Sequence, residues 1–231
     1  MKPDGQPACL GLVAGLGVGA GIFYYRSLVK AHLALGLTPN LIMVHADVQK
    51  VMALSAAREA RQLADYLAGL LNQLAGGGAQ MATIPAFSPQ VCAPELEAQT
   101  PLPLISLLDA IRDDVARRGL KRVAIFGARV TIETELLGCL RDVAEVIAPP
   151  PNEVDQIAGI YSEIVRNEEA SASERGTLRA LAHRLIARDG LDAILLAGTD
   201  LSFVFSPENT DFPHLDGARS HIDAIMQRLT G

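Results

Sequence analysis

The chain has 231 residues, of which 49% are hydrophobic and only 4% aromatic, with a formal net charge of −6. That is enough apolar material for one or two α/β domains, and the acidic balance argues against a nucleic-acid binder, which needs a basic patch. Cys9, Cys92 and Cys139 share no close spacing, which fits a reducing cytoplasm and forms neither a disulfide framework nor a zinc signature.

The first apolar stretch, ACLGLVAGLGVGAGIFYY, follows Asp4 and is dense in glycine. That composition suits a strand running into a loop better than a signal helix, so a cytoplasmic protein with no membrane association is expected. Residues 9–15 read as the first strand, 22–36 as an amphipathic helix stopped by Gly36, and 41–47 as the second strand. One long helix is expected from Ser55 to the glycine run at 76–78, then a third strand ending near Ala86. Residues 103–119 read as a short strand or turn and a helix, whose terminal RRGLKR complements a helix C-terminus.

After Gly119 the alternation starts again. Residues 121–129 are a strand and corner, 131–142 a helix, 145–150 a strand, 152–167 a helix, and 174–190 another helix. Between the last two lies EEASASERG, expected as a polar loop; LDAILLAG is a buried strand, and a proline-rich crossing leads to a terminal helix. Strands alternating with helices predict an α/β fold with parallel sheets. The chain distance from the corner at Gly15 to that at Ala86 equals the distance from Gly127 to Gly198, which suggests two similar halves. Ligands of open parallel sheets bind beyond the carboxyl ends of the strands, so the corners are the candidate site.

GLGVGAG contains G-x-G-x-x-A, and Asp47 closes the second strand where a ribose-binding carboxylate would lie. The same glycines, Gly15 and Gly17, equally suit a turn whose amides hold a small anion. Ser88, Thr131, Thr199 and Asp200 all follow strand ends. Each alone is an ordinary helix N-cap; together they suit binding of a carboxylate. His32 and His183 fall within helices, and His221 is either a proton donor or a helix-start residue. Cys92 and Cys139 read as buried side chains.

These segments, in order, resemble the aspartate/glutamate racemase superfamily, which includes hydantoin racemases, maleate isomerases and arylmalonate decarboxylases. The resemblance rests on GLVAGLGVGAGIFYYRSL, GAQMATIPAFSPQ, RVAIFGARVTIETELL, EVIAPPPNEVDQIAGIYSEI, LDAILLAGTDL and SPENTDFPHLDGARSHIDAI. It implies two Rossmann-like αβ lobes with parallel sheets, related by a pseudo-twofold axis about an inter-lobe cleft. It also implies that the C-terminal helix returns to the first lobe. Residues 1–101 with 206–231 would form that lobe and 102–205 the second. Such enzymes use no cofactor or metal; a homodimer is plausible on the same ground.

In members with both thiols, one cysteine from each lobe moves the α-proton on opposite faces of the substrate carbon. Here those positions fall on Ala86 and Gly198, and the neighbouring motif residues become Phe87, Ser88 and Gln90, with Thr199 kept and Asp200 in place of glutamate. Two-cysteine racemisation is therefore not expected. The first expectation is a cofactor-independent isomerase-like or lyase-type enzyme acting on a small carboxylate. Gly15, Gly17, Phe87, Ser88, Gln90, Thr131 and Thr199 would bind it, and Asp200 and His221, with His45 or Asp47 in reserve, would move protons. The alternatives are a catalytically silent carboxylate-binding regulator and a nucleotide-binding oxidoreductase using GLGVGAG. Putting cysteines back at 86 and 198 is expected to restore a trace of proton exchange.

Overall fold

The computed structural model describes residues 7–231; Asp4, invoked above for the leader segment, lies outside the described residues. The chain divides into two compact units: the first runs to Leu107 and takes in His221–Gly231, and the second is Leu108–Ser220.

The first unit contains β1 (Leu10–Ala14), α1 (Val18–Ala34), β2 (Leu41–His45), α2 (Val48–Ala56), α3 (Ala60–Gly76), β3 (Met81–Thr83) and α4 (Ala93–Glu97). Its parallel three-stranded sheet has the order β2-β1-β3. β1 is buried along its whole length because it is covered on both faces, which is why LGLVA is apolar without alternation. A Cβ at Gly11 would meet Leu74 of α3 at 3.0 Å, whereas Ala14, of opposite parity, faces Gly21 of α1. α1 begins at Val18, inside the glycine run, and not at Ile22.

The long helix expected from Ser55 is two helices. Arg58 adopts the left-handed conformation (φ 56°), which reverses the chain so that Val51 of α2 and Leu63 of α3 enter the same core cluster. No glycine or proline marks that break.

The second unit contains α5 (Leu107–Arg118), β4 (Arg122–Gly127), α6 (Arg129–Glu133), β5 (Glu145–Val146), α7 (Pro151–Asn167), α8 (Ala172–Asp189), β6 (Ala193–Ala197), α9 (Leu201–Val204), β7 (His214–Asp216) and the start of α10 (Gly217–Thr230). Its four-stranded parallel sheet has the order β5-β4-β6-β7. At the end of α5, Arg117 and Arg118 pair with Asp114, so the basic RRGLKR segment serves its own helix terminus.

Three expectations for this unit change. The helix from Thr131 stops at Glu133, and Glu135, Leu136 and Leu137 follow with φ between 51° and 58°. Thr134 holds the turn: its hydroxyl donates to the Val130 carbonyl, which also accepts from the Thr134 N–H, and accepts from the Leu137 N–H. The EEASASERG loop is shorter than expected, because α8 starts at Ala172. Ser171 caps it by accepting from Glu174 N–H while the Glu174 carboxylate accepts from Ser171, a capping box written in the sequence as S-x-x-E. The proline-rich crossing holds an unforeseen strand, β7, whose pairing with β6 puts residues 206–220 in the second unit and not with the first lobe.

The two sheets repeat one plan, since β5-β4-β6 matches β2-β1-β3. Even β7 has a counterpart, an isolated parallel bridge between Leu104 and Ala82 of β3. The periodicity shows in the hydrogen bonds: Cys9 N–H donates to the Gln80 side chain and Lys121 N–H to the Asp192 carboxylate, each pair 71 residues apart. Among the described residues no helix is long and apolar enough to cross a membrane.

Candidate functional site

The second-unit corner is formed where β6 ends. Ala193–Ala197 is wholly buried, and Gly198, Thr199 and Asp200 then turn the chain into the single-turn α9, with Leu201 N–H donating to the Gly198 carbonyl at 2.9 Å. The adjacent strand β4 ends in Gly127, where a Cβ would run into the Ala197 carbonyl. β4 therefore finishes in a glycine and β6 is followed by one, and the backbones of Gly127 and Ala197 approach closely.

Asp200 sits at the N-cap position of α9 yet makes no capping hydrogen bond. Asp47 and Ser171, at comparable positions, do cap their helices. The Asp200 carboxyl instead turns inward, 1% exposed, where Oδ2 accepts from the Tyr161 hydroxyl at 3.4 Å and Oδ1 has no partner. Burial raises its pKa from 3.8 to about 6, against the opposing help of Tyr161 and Thr199. The Tyr161 phenol is pushed well above its usual range, first by burial and then by the neighbouring Asp200, so it stays a donor. Thr199 is buried and hydrogen-bonds within the same group.

Tyr161, in α7, had no place in the sequence motif. A Cβ at Gly198 would lie 2.7 Å from its Cζ and 3.0 Å from its Cδ2, so the ring fills the space a side chain at 198 would need. A cysteine restored at 198 would therefore require the Tyr161 ring to shift. A bare glycine between a buried strand and TD was the only sequence signal that something else fills it.

The first-unit corner offers no titratable side chain among Ala86, Phe87, Ser88 and Gln90. Ala86 and Phe87 are buried and Ser88 opens a short 3-10 turn. Gln90 folds back, its amide donating to the Ala86 carbonyl at 2.8 Å. Gly15 (φ 83°) and Gly17 (φ 117°) form the tight turn into α1, and a side chain at 15 would strike the Ala46 carbonyl. Asp47 is exposed and caps α2, its Oδ1 accepting from the Lys50 N–H at 3.1 Å. Thr131 lies buried in the first turn of α6 in the second unit, and His45 is exposed at the end of β2.

His221 lies in the interior of the first unit. Its Nε2 meets the Ile105 carbonyl at 3.0 Å, an acceptor only, so that nitrogen carries the proton and Nδ1 accepts from the Tyr24 hydroxyl at 3.0 Å. The Thr83 hydroxyl stands 2.8 Å from Nε2 and donates to the same carbonyl. Burial lowers the imidazole to about 4, keeping it neutral. Cys92 and Cys139 are both pushed up to about 12 by burial, far from a thiolate nucleophile. Among the described residues no group of three or more His, Cys, Asp or Glu side chains could hold a metal ion.

The fold is shared with solved proteins. An Asp/Glu racemase proposed as such from Yersinia pestis matches with a TM-score of 0.83 at 21% identity, covering 97% of this chain and 100% of its own. An aspartate racemase homologue from Pyrococcus horikoshii matches at 0.80 with 17% identity, covering 96% and 99%. The Picrophilus torridus aspartate racemase gives 0.80 with 15% identity, covering 96% and 94%. The family model described as Asp/Glu/Hydantoin racemase matches residues 13–225, nearly the full length, and the chain belongs to that family.

Proposed function

We propose that the protein is an enzyme of isomerase-like or lyase-type proton transfer on a small carboxylate, working with a carboxyl group where thiols are usual. One observation carries this reading: Asp200, buried at the end of a central parallel strand, leaves its N-cap bond unmade and one oxygen without a partner. A buried carboxyl with pKa about 6 is suited to gain and lose a proton near neutrality.

In this reading Oδ1 of ionised Asp200 takes the α-proton. The C–H electron pair passes into the adjacent carboxylate, and amides and hydroxyls at the corner, Thr199 among them, stabilise the resulting enediolate. The proton on Oδ1 exchanges with solvent, and a proton (deuteron in deuterium oxide) is then delivered back to the carbon from the same oxygen. Because one oxygen both takes and returns the proton, it acts on one face of the carbon and exchange proceeds with retention of configuration. His221 is kept out of the chemistry, both nitrogens being engaged.

The test is incubation with a panel of amino and dicarboxylic acids in deuterium oxide. Deuterium at the α-carbon, abolished by Asp200→Asn, supports the reading; inversion as fast as exchange contradicts it. Thermal stabilisation by one acid without exchange or turnover moves the assignment to a silent binder, and stabilisation by nucleotides alone to a nucleotide site. Thr199→Ala should weaken acid-induced stabilisation, and Ser88→Ala tests separately whether the first unit contributes.

A further inference from the structure

Tyr161 and Gly198 belong together physically. The ring from the middle of α7 rests so close to residue 198 that a Cβ there would force the ring to move, and its phenol comes from another element to the end of β6. The hydroxyl then stands 3.4 Å from Oδ2 of Asp200, while Oδ1 of that carboxyl, buried with it, is left without a partner. The two oxygens are thereby made unlike.

We propose that Tyr161 is a positioning residue, whose hydroxyl occupies Oδ2 of Asp200 so that Oδ1 alone exchanges protons with a bound acid, and that Gly198 is required to admit the ring. This rests on the proton-transfer reading of Asp200 for its function, but the geometry can be tested without it. A phenol that donates to Oδ2 places the acid proton of the neutral carboxyl on Oδ1, because two hydrogens cannot share that contact. In the ionised form the same bond favours the charge and opposes the effect of burial. Tyr161 forms and breaks no bond to substrate; it fixes which oxygen does. Its own proton stays in place, as burial and the neighbouring carboxyl hold the phenol far from ionisation.

The experiment follows the Asp200 carboxyl by carbon NMR in ligand-free protein labelled at aspartate, the signal being assigned by its loss in Asp200→Asn. The wild type should titrate with a midpoint near 6. Tyr161→Phe, which keeps the ring and removes the donor, should move that midpoint upward by about half a pH unit or more. Gly198→Ala, which keeps the hydroxyl and displaces the ring, should move it too. Melting curves establish that each variant is folded. A Tyr161→Phe protein titrating like the wild type overturns the proposal, as does a Gly198→Ala protein in which ring and carboxyl keep their wild-type signals.

If the wild type exchanges an α-proton, the pH profile of exchange in Tyr161→Phe should shift with the NMR midpoint, with kcat falling more than KM rises. An unshifted profile beside a shifted midpoint overturns the functional half. Absence of exchange in the wild type refutes the proton-transfer reading, and the titration still decides whether Tyr161 holds Asp200.

Discussion

Asp200 makes the protein less stable than its shape allows. Its carboxyl moves from 3.8 to about 6 on folding, so well below pH 3.8 it is neutral in folded and unfolded chains alike. As pH rises from 4 to 6 the unfolded chain ionises first, and stability is lost, about 3 kcal/mol in all. Asp200→Asn should therefore be more stable than the wild type at pH 7, and the difference should vanish toward about pH 3 in denaturant titrations at both pH values. Gly198→Cys is expected to cost about 1–3 kcal/mol by overpacking against Tyr161. Adding Tyr161→Ala should return part of that stability, and a double variant no better than the single one would put the strain elsewhere. The sequence displayed Asp200 and Thr199 beside a strand end. It could not display Tyr161, which the packing of α7 brings to the corner from 39 residues away along the chain.

At the level of the elements, the short left-handed stretch at Glu135–Leu137 is where an ordinary helix was expected and where backbone strain is concentrated. An L-residue in that conformation costs about 1–2 kcal/mol, so Glu135→Gly should stabilise the protein by about 1 kcal/mol where the same change in a helix would destabilise it. Unfolding free energies of the two proteins decide this. Ser171→Ala should cost about 1 kcal/mol by removing the cap of α8. The cap was legible as a four-residue motif, whereas the left-handed turn depends on Thr134 bonding backward and forward at once. β7 escaped notice for a related reason. Three residues, His214–Asp216, have no periodicity to read, and they become a strand only because β6 offers them an edge.

On the scale of the whole molecule, the two units are continuous through α10, whose residues up to Ser220 belong to the second unit and from His221 onward to the first. His221 joins Tyr24, Thr83 and the Ile105 carbonyl, which come from three separate stretches of the first unit. Its imidazole is lowered from 6.5 to about 4, so this contribution is complete above pH 6.5 and is lost as pH falls through 4, about 3 kcal/mol in all. Acid unfolding monitored by circular dichroism should begin in that window. His221→Gln should flatten the pH dependence there while lowering stability at pH 7. Ending the chain at Ser220 should unfold the first unit selectively, because Ile222, Ile225, Met226 and Leu229 are buried. Hydrogen exchange that remained protected in β1 of the shortened chain would contradict this.

The sequence alone determined the alternation of buried strands and helices and the repeat that begins after Gly119. Each is a property of composition and spacing along the chain. Tertiary structure decided which strand-end polar groups were already satisfied. Asp47 uses one exposed oxygen on a helix end, His221 engages both ring nitrogens, and Asp200 keeps one oxygen buried and unused. Residue type fixes how many hydrogen bonds a side chain can make, but whether they are made depends on neighbours that only the folded chain brings within reach.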